Sequence, residues 1–175
     1  GILSKYGEKF LTLLVETEWN IIVRPHPQSK TAESDMLKKL KEKYKTNDNL
    51  SWDYESENIT SLSKADIMIS DFSSVIFDYC FLFDKPFLYC NNEFDHRPYD
   101  SGDLKELPWK FSILKEIGRE LKSTDFTDIR KIIKETCESS TLKENRLKAK
   151  DTAWQNRGLA GEKVYEFLME IRRTC

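Results

Sequence analysis

No stretch of this sequence reaches the roughly 18 uninterrupted apolar residues that a membrane-crossing helix needs, and the N-terminus lacks a basic region followed by an apolar core. The expectation is a chain that is neither anchored nor exported. Cysteine is sparse and scattered: Cys80, Cys90, Cys137 and Cys175 have no CxxC spacing, which fits neither a zinc site nor a disulfide framework and points to a reducing cytoplasm. Charge of one sign is also lacking. A formal net charge of −2 and a pI near 5.8 provide no global field to draw in nucleic acid, so anion binding must come from local geometry. There is no internal repeat, low-complexity tract, obvious linker or Gly-rich phosphate loop.

What is present is an ordinary globular composition, 39% hydrophobic and 33% charged, over 175 residues. That length suits one well-cored domain and leaves no room for a second. Leu3, Tyr6, Phe10 and Leu13 or Leu14 recur at helical spacing, which predicts an amphipathic helix ending near Thr17. Trp19 to Val23 reads as a buried strand stopped by Arg24-Pro25-His26-Pro27, where two prolines forbid helix and continued pairing. A surface helix is expected over 32–44, a strand over 50–54, a short helical turn over 58–65 and a strand over 66–70.

Val75 to Phe83 is apolar nearly all round, so a buried helix is expected there. Lys85-Pro86 restarts the chain, and Phe87 to Cys90 reads as a fourth strand. Residues 91–109, with Pro98, Gly102, Pro108 and many acids, read as a long surface loop that includes His96, with Trp109 as a possible lid element. The last third reads as helical. Phe126, Ile129, Ile132 and Ile133 share a face, 142–154 forms a charged helix that Gly158 stops, and Val164, Phe167, Leu168 and Ile171 mark a closing amphipathic helix. Alternating strands and helices imply an α/β fold, a doubly wound and mainly parallel sheet with helices on both faces.

Ligands of such sheets bind beyond the carboxyl ends of the strands. Two loops lead there. One holds Arg24 and His26 between prolines that fix the backbone. The other holds Asp71, Ser73 and Ser74 where a strand meets a helix whose N-terminus suits a phosphate. Arg24 brings a cationic fork, and His26 can donate a hydrogen bond or a proton to a phosphate oxygen. Taken singly, Asp71 or Ser73 is a good helix N-cap and His26 a loop residue. The pair of loops is the more specific signal, because both end apolar strands of one expected sheet.

Arg24-Pro25-His26-Pro27, with the later run from Ala65 through Ser70-Asp71-Phe72-Ser73-Ser74 to Tyr79 and with Lys85-Pro86, resembles the C-terminal domain of the CDP-glycerol glycerophosphotransferases that build teichoic acids. Those enzymes are similar to two-domain GT-B transferases, whose Rossmann-like C-terminal half holds the nucleotide donor. The resemblance implies that residues 1–175 are one donor-binding domain of a larger two-domain enzyme. An N-terminal half would present the polyprenyl-linked or polymer acceptor. It implies His26 as the catalytic residue contacting the donor diphosphate, Ser73 and Ser74 binding its oxygens, Asp71 shaping their loop, and Arg24 as a further donor contact. It implies a CDP-linked donor, CDP-glycerol or similar, with no other cofactor; no residue of the sequence is singled out as a metal ligand. It places the full-length protein at the inner face of the membrane with peripheral contact, and the isolated half is expected to be inactive. Gly158 and Ala160 fit the stretch that relatives carry before their final helix, whereas Gly161 and Lys163 depart from it. A capsule polymerase or glycosyltransferase using another nucleotide donor would need the same phosphate clamp. A flavodoxin-like receiver or interaction module would share the sheet pattern, but it needs acids where Arg24-Pro25-His26 stands.

Overall fold

The computed structural model describes residues 1–71, 73–90 and 108–174. The expectations for the 91–109 loop before residue 108, including His96, lie outside the described residues, as does Phe72.

The first helix, α1 (Ile2–Val15), buries Phe10, Leu11 and Leu14. Gly7 sits on the same face, where a Cβ would lie 3.1 Å from Leu40 Cδ1, so the glycine lets the next long helix approach closely. The chain leaves α1 through a turn in which the Thr17 hydroxyl donates to Leu14 O at 2.6 Å and Glu18 adopts φ 62°. Strand β1 (Ile21–Val23) follows, then a single turn α2 (Ser29–Ala32) and helix α3 (Ser34–Lys43), whose Leu37 and Leu40 are buried. Strand β2 (Leu50–Trp52) pairs parallel with β1, with Ile21 opposite Leu50 and Val23 opposite Trp52.

Helix α4 (Ile59–Lys64), strand β3 (Met68–Ser70), helix α5 (Val75–Phe83) and strand β4 (Phe87–Tyr89) form the second half. Two single turns, α6 (Trp109–Ser112) and α7 (Leu114–Ile117), lead to a two-residue strand β5 (Arg119–Glu120). The β3-β4-β5 ladder is parallel throughout. A 3-10 turn over Ser123–Asp128 then leads into α8 (Ile129–Glu138), α9 (Ser140–Ala153) and α10 (Ala160–Thr174).

Short parallel strands joined by helices make this the α/β, Rossmann-like arrangement that the strand-helix alternation predicts. One difference is that hydrogen bonding divides the strands into two ladders, β1-β2 and β3-β4-β5. They nevertheless share a core: Val23, Leu50, Leu88 and Cys90 pack with Phe10, Leu11 and Leu14 of α1 and Ile129, Ile132 and Ile133 of α8. A second cluster, on α5, α7 and α9, gathers Ile76, Tyr79, Cys80, Phe87 and Ile117.

Two expectations about helices need correction. Helix α5 is apolar apart from Asp78 but not buried all round: Ile76, Tyr79 and Cys80 face the core while Leu82 is 48% exposed. Helix α10 has the expected apolar stripe, yet Val164, Phe167 and Leu168 are 59%, 62% and 57% exposed, so the stripe closes no core among the described residues. The charged helix α9 ends at Ala153, and Gly158, at φ 73°, belongs to the turn before α10. Strand β5 is an addition. Its two residues are both charged, so no apolar run announces it.

The Lys85-Pro86 step also has a structural explanation. Lys85 Nζ donates to the Ser63 and Ala65 carbonyls, both at 2.7 Å, at the C-terminus of α4. A cation there meets unpaired carbonyls and the negative end of the helix dipole. Tyr79 OH donates to the same Ala65 carbonyl at 3.0 Å, tying α5 to the strand that follows α4.

Candidate functional site

The carboxyl end of β1 is fastened to the carboxyl end of β2. Parallel pairing continues the register one residue past each strand, which sets Arg24 beside Asp53. Arg24 Nη1 donates to Asp53 Oδ2, and Arg24 Nη2 donates to the carbonyls of Glu55 at 2.6 Å and Ser56 at 3.3 Å. Asp53 also accepts from the Ser61 hydroxyl and, at 2.9 Å, from the Glu55 N–H. The Ser61 and Glu55 hydrogen bonds, with Arg24 adding to them, hold the Asp53 carboxyl down at about 2. Lys30 Nζ donates to Tyr54 O at 2.6 Å, and Lys30 and Lys41 lie 5.2 and 4.5 Å from the Tyr54 ring centroid, which pins the same loop.

His26 stands on this fastened loop and is exposed. Its Nδ1 accepts the Gln28 N–H at 3.2 Å. In a neutral imidazole a nitrogen that accepts leaves the proton on the other, so this bond assigns the proton to Nε2, on the side of the ring away from its own loop. His26 thereby offers an N–H donor whose ring orientation is set by its own loop.

The second loop ends β3. Asp71 Oδ1 accepts the Ile2 N–H at 3.2 Å, so its carboxylate caps α1 across 69 residues of chain. Helix α5 opens without a side-chain cap of the usual kind; Ser73 Oγ reaches only the Val75 N–H, at 3.5 Å. The Ile76 and Phe77 N–H groups bond to the Ser73 and Ser74 carbonyls. Among the described residues, the N–H groups of Ser73 and Ser74 have no acceptor, and the Ser74 side chain is exposed. Two N–H donors and two hydroxyls at the positive end of a nine-residue helix suit an anionic oxygen.

Each predicted residue thus sits at a strand end. Among the described residues, no hydrogen bond or ion pair joins Arg24 or His26 to Asp71, Ser73 or Ser74. Arg24 is committed to Asp53 and two carbonyls, with its side chain 24% exposed. The residues that sequence reasoning passed over are Asp53, Ser61 and Lys30, which hold the His26 loop. A signal for Asp53 existed: an acid directly after one apolar run, matched to a base directly after another. The open depressions along the flank of α1 and α8, lined by residues such as Lys9, Lys43, Arg130 and Lys134, include none of the two loops' residues. Of the lysines over 38–45, Lys38, Lys43 and Lys45 pair with Asp35, Glu8 and Glu42. Among the described residues there is no cluster of three metal-ligating side chains, and no helix is long and apolar enough to cross a membrane.

The model of one protein family, described as CDP-glycerol:poly(glycerophosphate) glycerophosphotransferase, matches residues 4–169. No curated protein and no solved structure matches the chain. The matched span takes in both loops, the Arg24–Asp53 clamp and every strand.

Proposed function

The chain belongs to the CDP-glycerol:poly(glycerophosphate) glycerophosphotransferase family, and from that premise we propose that it binds a CDP-activated donor by its diphosphate at the ends of β1 and β3. The observation that carries this reading is the pair of unsatisfied donor sets: Nε2–H of His26, and the Ser73 and Ser74 N–H groups at the start of α5. Among the described residues neither set meets an acceptor, and a diphosphate is made of acceptors alone.

In the proposed reaction an acceptor hydroxyl attacks the phosphorus that carries glycerol. A new oxygen-phosphorus bond forms, the bond from that phosphorus to the bridging oxygen breaks, the hydroxyl proton passes to water, and CMP departs. His26 donates to the bridging or departing oxygen as its charge grows, and the α5 N-terminus takes the charge on the remaining phosphate oxygens. Asp71 positions the loop by capping α1, and Arg24 acts as a positioning residue that holds the His26 loop through Asp53. The acceptor is proposed to be a membrane-linked polymer of the teichoic acid kind, reached with the acceptor half that the resemblance implies.

Transfer measured in the full enzyme tests the chemistry. His26→Ala lowers turnover by at least about a hundredfold, as loss of an acid or oxyanion donor does; near-normal turnover removes His26 from the mechanism. Titration calorimetry of this chain with CDP-glycerol, CDP and CMP tests the binding, and no heat at millimolar ligand contradicts it.

A further inference from the structure

Among the described residues, no side chain of α10 joins either core cluster, although the helix is 15 residues long. From Ala160 to Arg173 every residue is exposed except the half-buried Met169. A helix of that length is marginal when isolated in water, because its costly nucleus is followed by few propagating bonds. The composition of α10 does little to help: Gly161 loosens the first turn, and Val164, Tyr165, Phe167 and Ile171 lose side-chain freedom on entering a helix. What holds such a segment helical is burial of an amphipathic face.

That face is well defined. Gly161, Val164, Leu168 and Ile171 recur three, four and three residues apart, which lays them along one seam in the manner of the a and d positions of a coiled coil. Phe167 borders the seam on one side and Tyr165 on the other. Val164, Tyr165, Phe167 and Leu168 are each more than half exposed, and a Cβ added to Gly161 would meet nothing within 4 Å. With Ile171, which is 43% exposed, these side chains offer on the order of 100 Å² each, so two copies of the stripe bury about 1,000 Å² between them, the lower bound of a specific interface.

The charges show which surface matches. Glu162 lies in the first turn of α10 and Arg172 and Arg173 in the last. Among the described residues none of these three has an ion-pair partner, whereas Lys163 donates to Glu166 at 2.7 Å within the helix. Glu162, Tyr165, Met169 and Arg172, again three, four and three residues apart, share one flank of the seam. Opposite charges at opposite ends of one flank are complementary to the same helix turned end for end, because Glu162 of each copy then meets Arg172 of the other. Two helices running the same way would instead set like charges together. A lipid surface fits less well: Glu162, Glu166 and Glu170 balance Lys163, Arg172 and Arg173, whereas helices that lie on anionic bilayers are rich in Lys and Arg.

We infer that α10 is a self-association surface: two copies of this chain pack their α10 helices antiparallel about a twofold axis, with Val164 of one against Leu168 of the other and Gly161 against Ile171. The missing side chain of Gly161 leaves room at each end of the seam for the isoleucine. The inference stands on α10 alone and does not depend on the identity of the donor.

Sedimentation equilibrium of this chain, from micromolar to submillimolar concentration, tests it. The parent chain shows a monomer-dimer equilibrium with no larger species. Phe167→Glu combined with Leu168→Glu puts charge on the seam and leaves a monomer throughout. Both positions are exposed, so this variant unfolds in urea at the same midpoint as the parent when the parent is dilute enough to be monomeric. Charge reversal reads the orientation: Glu162→Arg or Arg172→Glu alone weakens the dimer by about tenfold, and the two together restore it, because each pair merely exchanges its members. A parent chain that stays monomeric at the highest concentration overturns the inference, whether or not it binds phosphatidylglycerol vesicles. A dimer that survives the Phe167 and Leu168 substitutions overturns it as well, since the contact then lies elsewhere, and so does a double reversal that fails to restore association.

Discussion

Replacing Asp53 with Asn removes the charge that fastens the His26 loop while keeping its shape. In the fold this carboxyl titrates near pH 2, because Ser61, the Glu55 N–H and Arg24 all bond to its charged form. Unfolded, it titrates near its ordinary value of 3.8. A folded value below the unfolded one means that the stabilisation is fully present above about pH 4 and is lost as pH falls through about 2. At about 1.4 kcal/mol per pH unit the contribution at neutral pH is at most about 2.5 kcal/mol, and it is less than that because the site is partly open to solvent. The assay is urea unfolding of the parent and Asp53→Asn chains at pH 7, 4, 3 and 2.5, with the difference between them as the quantity of interest. That difference is about 1–2 kcal/mol at pH 7 and shrinks toward zero below pH 3. A gap that is the same at pH 7 and pH 2.5 refutes the argument, because loss of a merely structural amide-sized group would not depend on proton concentration.

Three further outcomes follow from packing and burial. Gly118→Ala places a Cβ 2.2 Å from Phe87 Cε2, on a ring that is fully buried, and destabilises the chain by about 2–3 kcal/mol in urea unfolding; a neutral result would show that the Phe87 ring can move. Burial pushes the Cys80 and Cys90 thiols up to about 12, so neither is alkylated by iodoacetamide in the native chain at pH 8 while both react in urea, as mass spectrometry of their peptides will show. Arg146 is buried with Nε and Nη1 lacking hydrogen-bond partners among the described residues, where its ion-pair partner, Asp84, is 3.9 Å away. Arg146→Met should therefore leave stability unchanged or raise it by up to about 2 kcal/mol, whereas a loss of about 3 kcal/mol would show that the pair is indispensable despite its length.

Much of this fold was legible because its elements announce themselves by local pattern. The nine residues of α5 lie where the apolar run, broken only by Asp78, lies, and β1 ends where Pro25 and Pro27 forbid further pairing. Strand β5 was not legible, since Arg119 and Glu120 pair only because Tyr89 and Leu88 present an open edge to them. The division into two ladders could not be read either: hydrophobic periodicity identifies strands but says nothing of which neighbour each one lacks. For α10 the stripe at 164, 167, 168 and 171 was correct, and its exposure was not, because periodicity reports that a face is apolar and not what covers it. At the candidate site the residue types and their strand-end positions were legible. The commitment of Arg24 was not, because it depends on Asp53, a partner 29 residues away that parallel register brings alongside.

The most direct test of the account is a crystal structure of this chain soaked with CDP. The account predicts the two phosphates at the β1 and β3 ends, with one oxygen within hydrogen-bonding reach of His26 Nε2 and another within reach of the Ser73 and Ser74 N–H groups. Phosphates seated elsewhere, with His26 and the start of α5 touching neither, would contradict it.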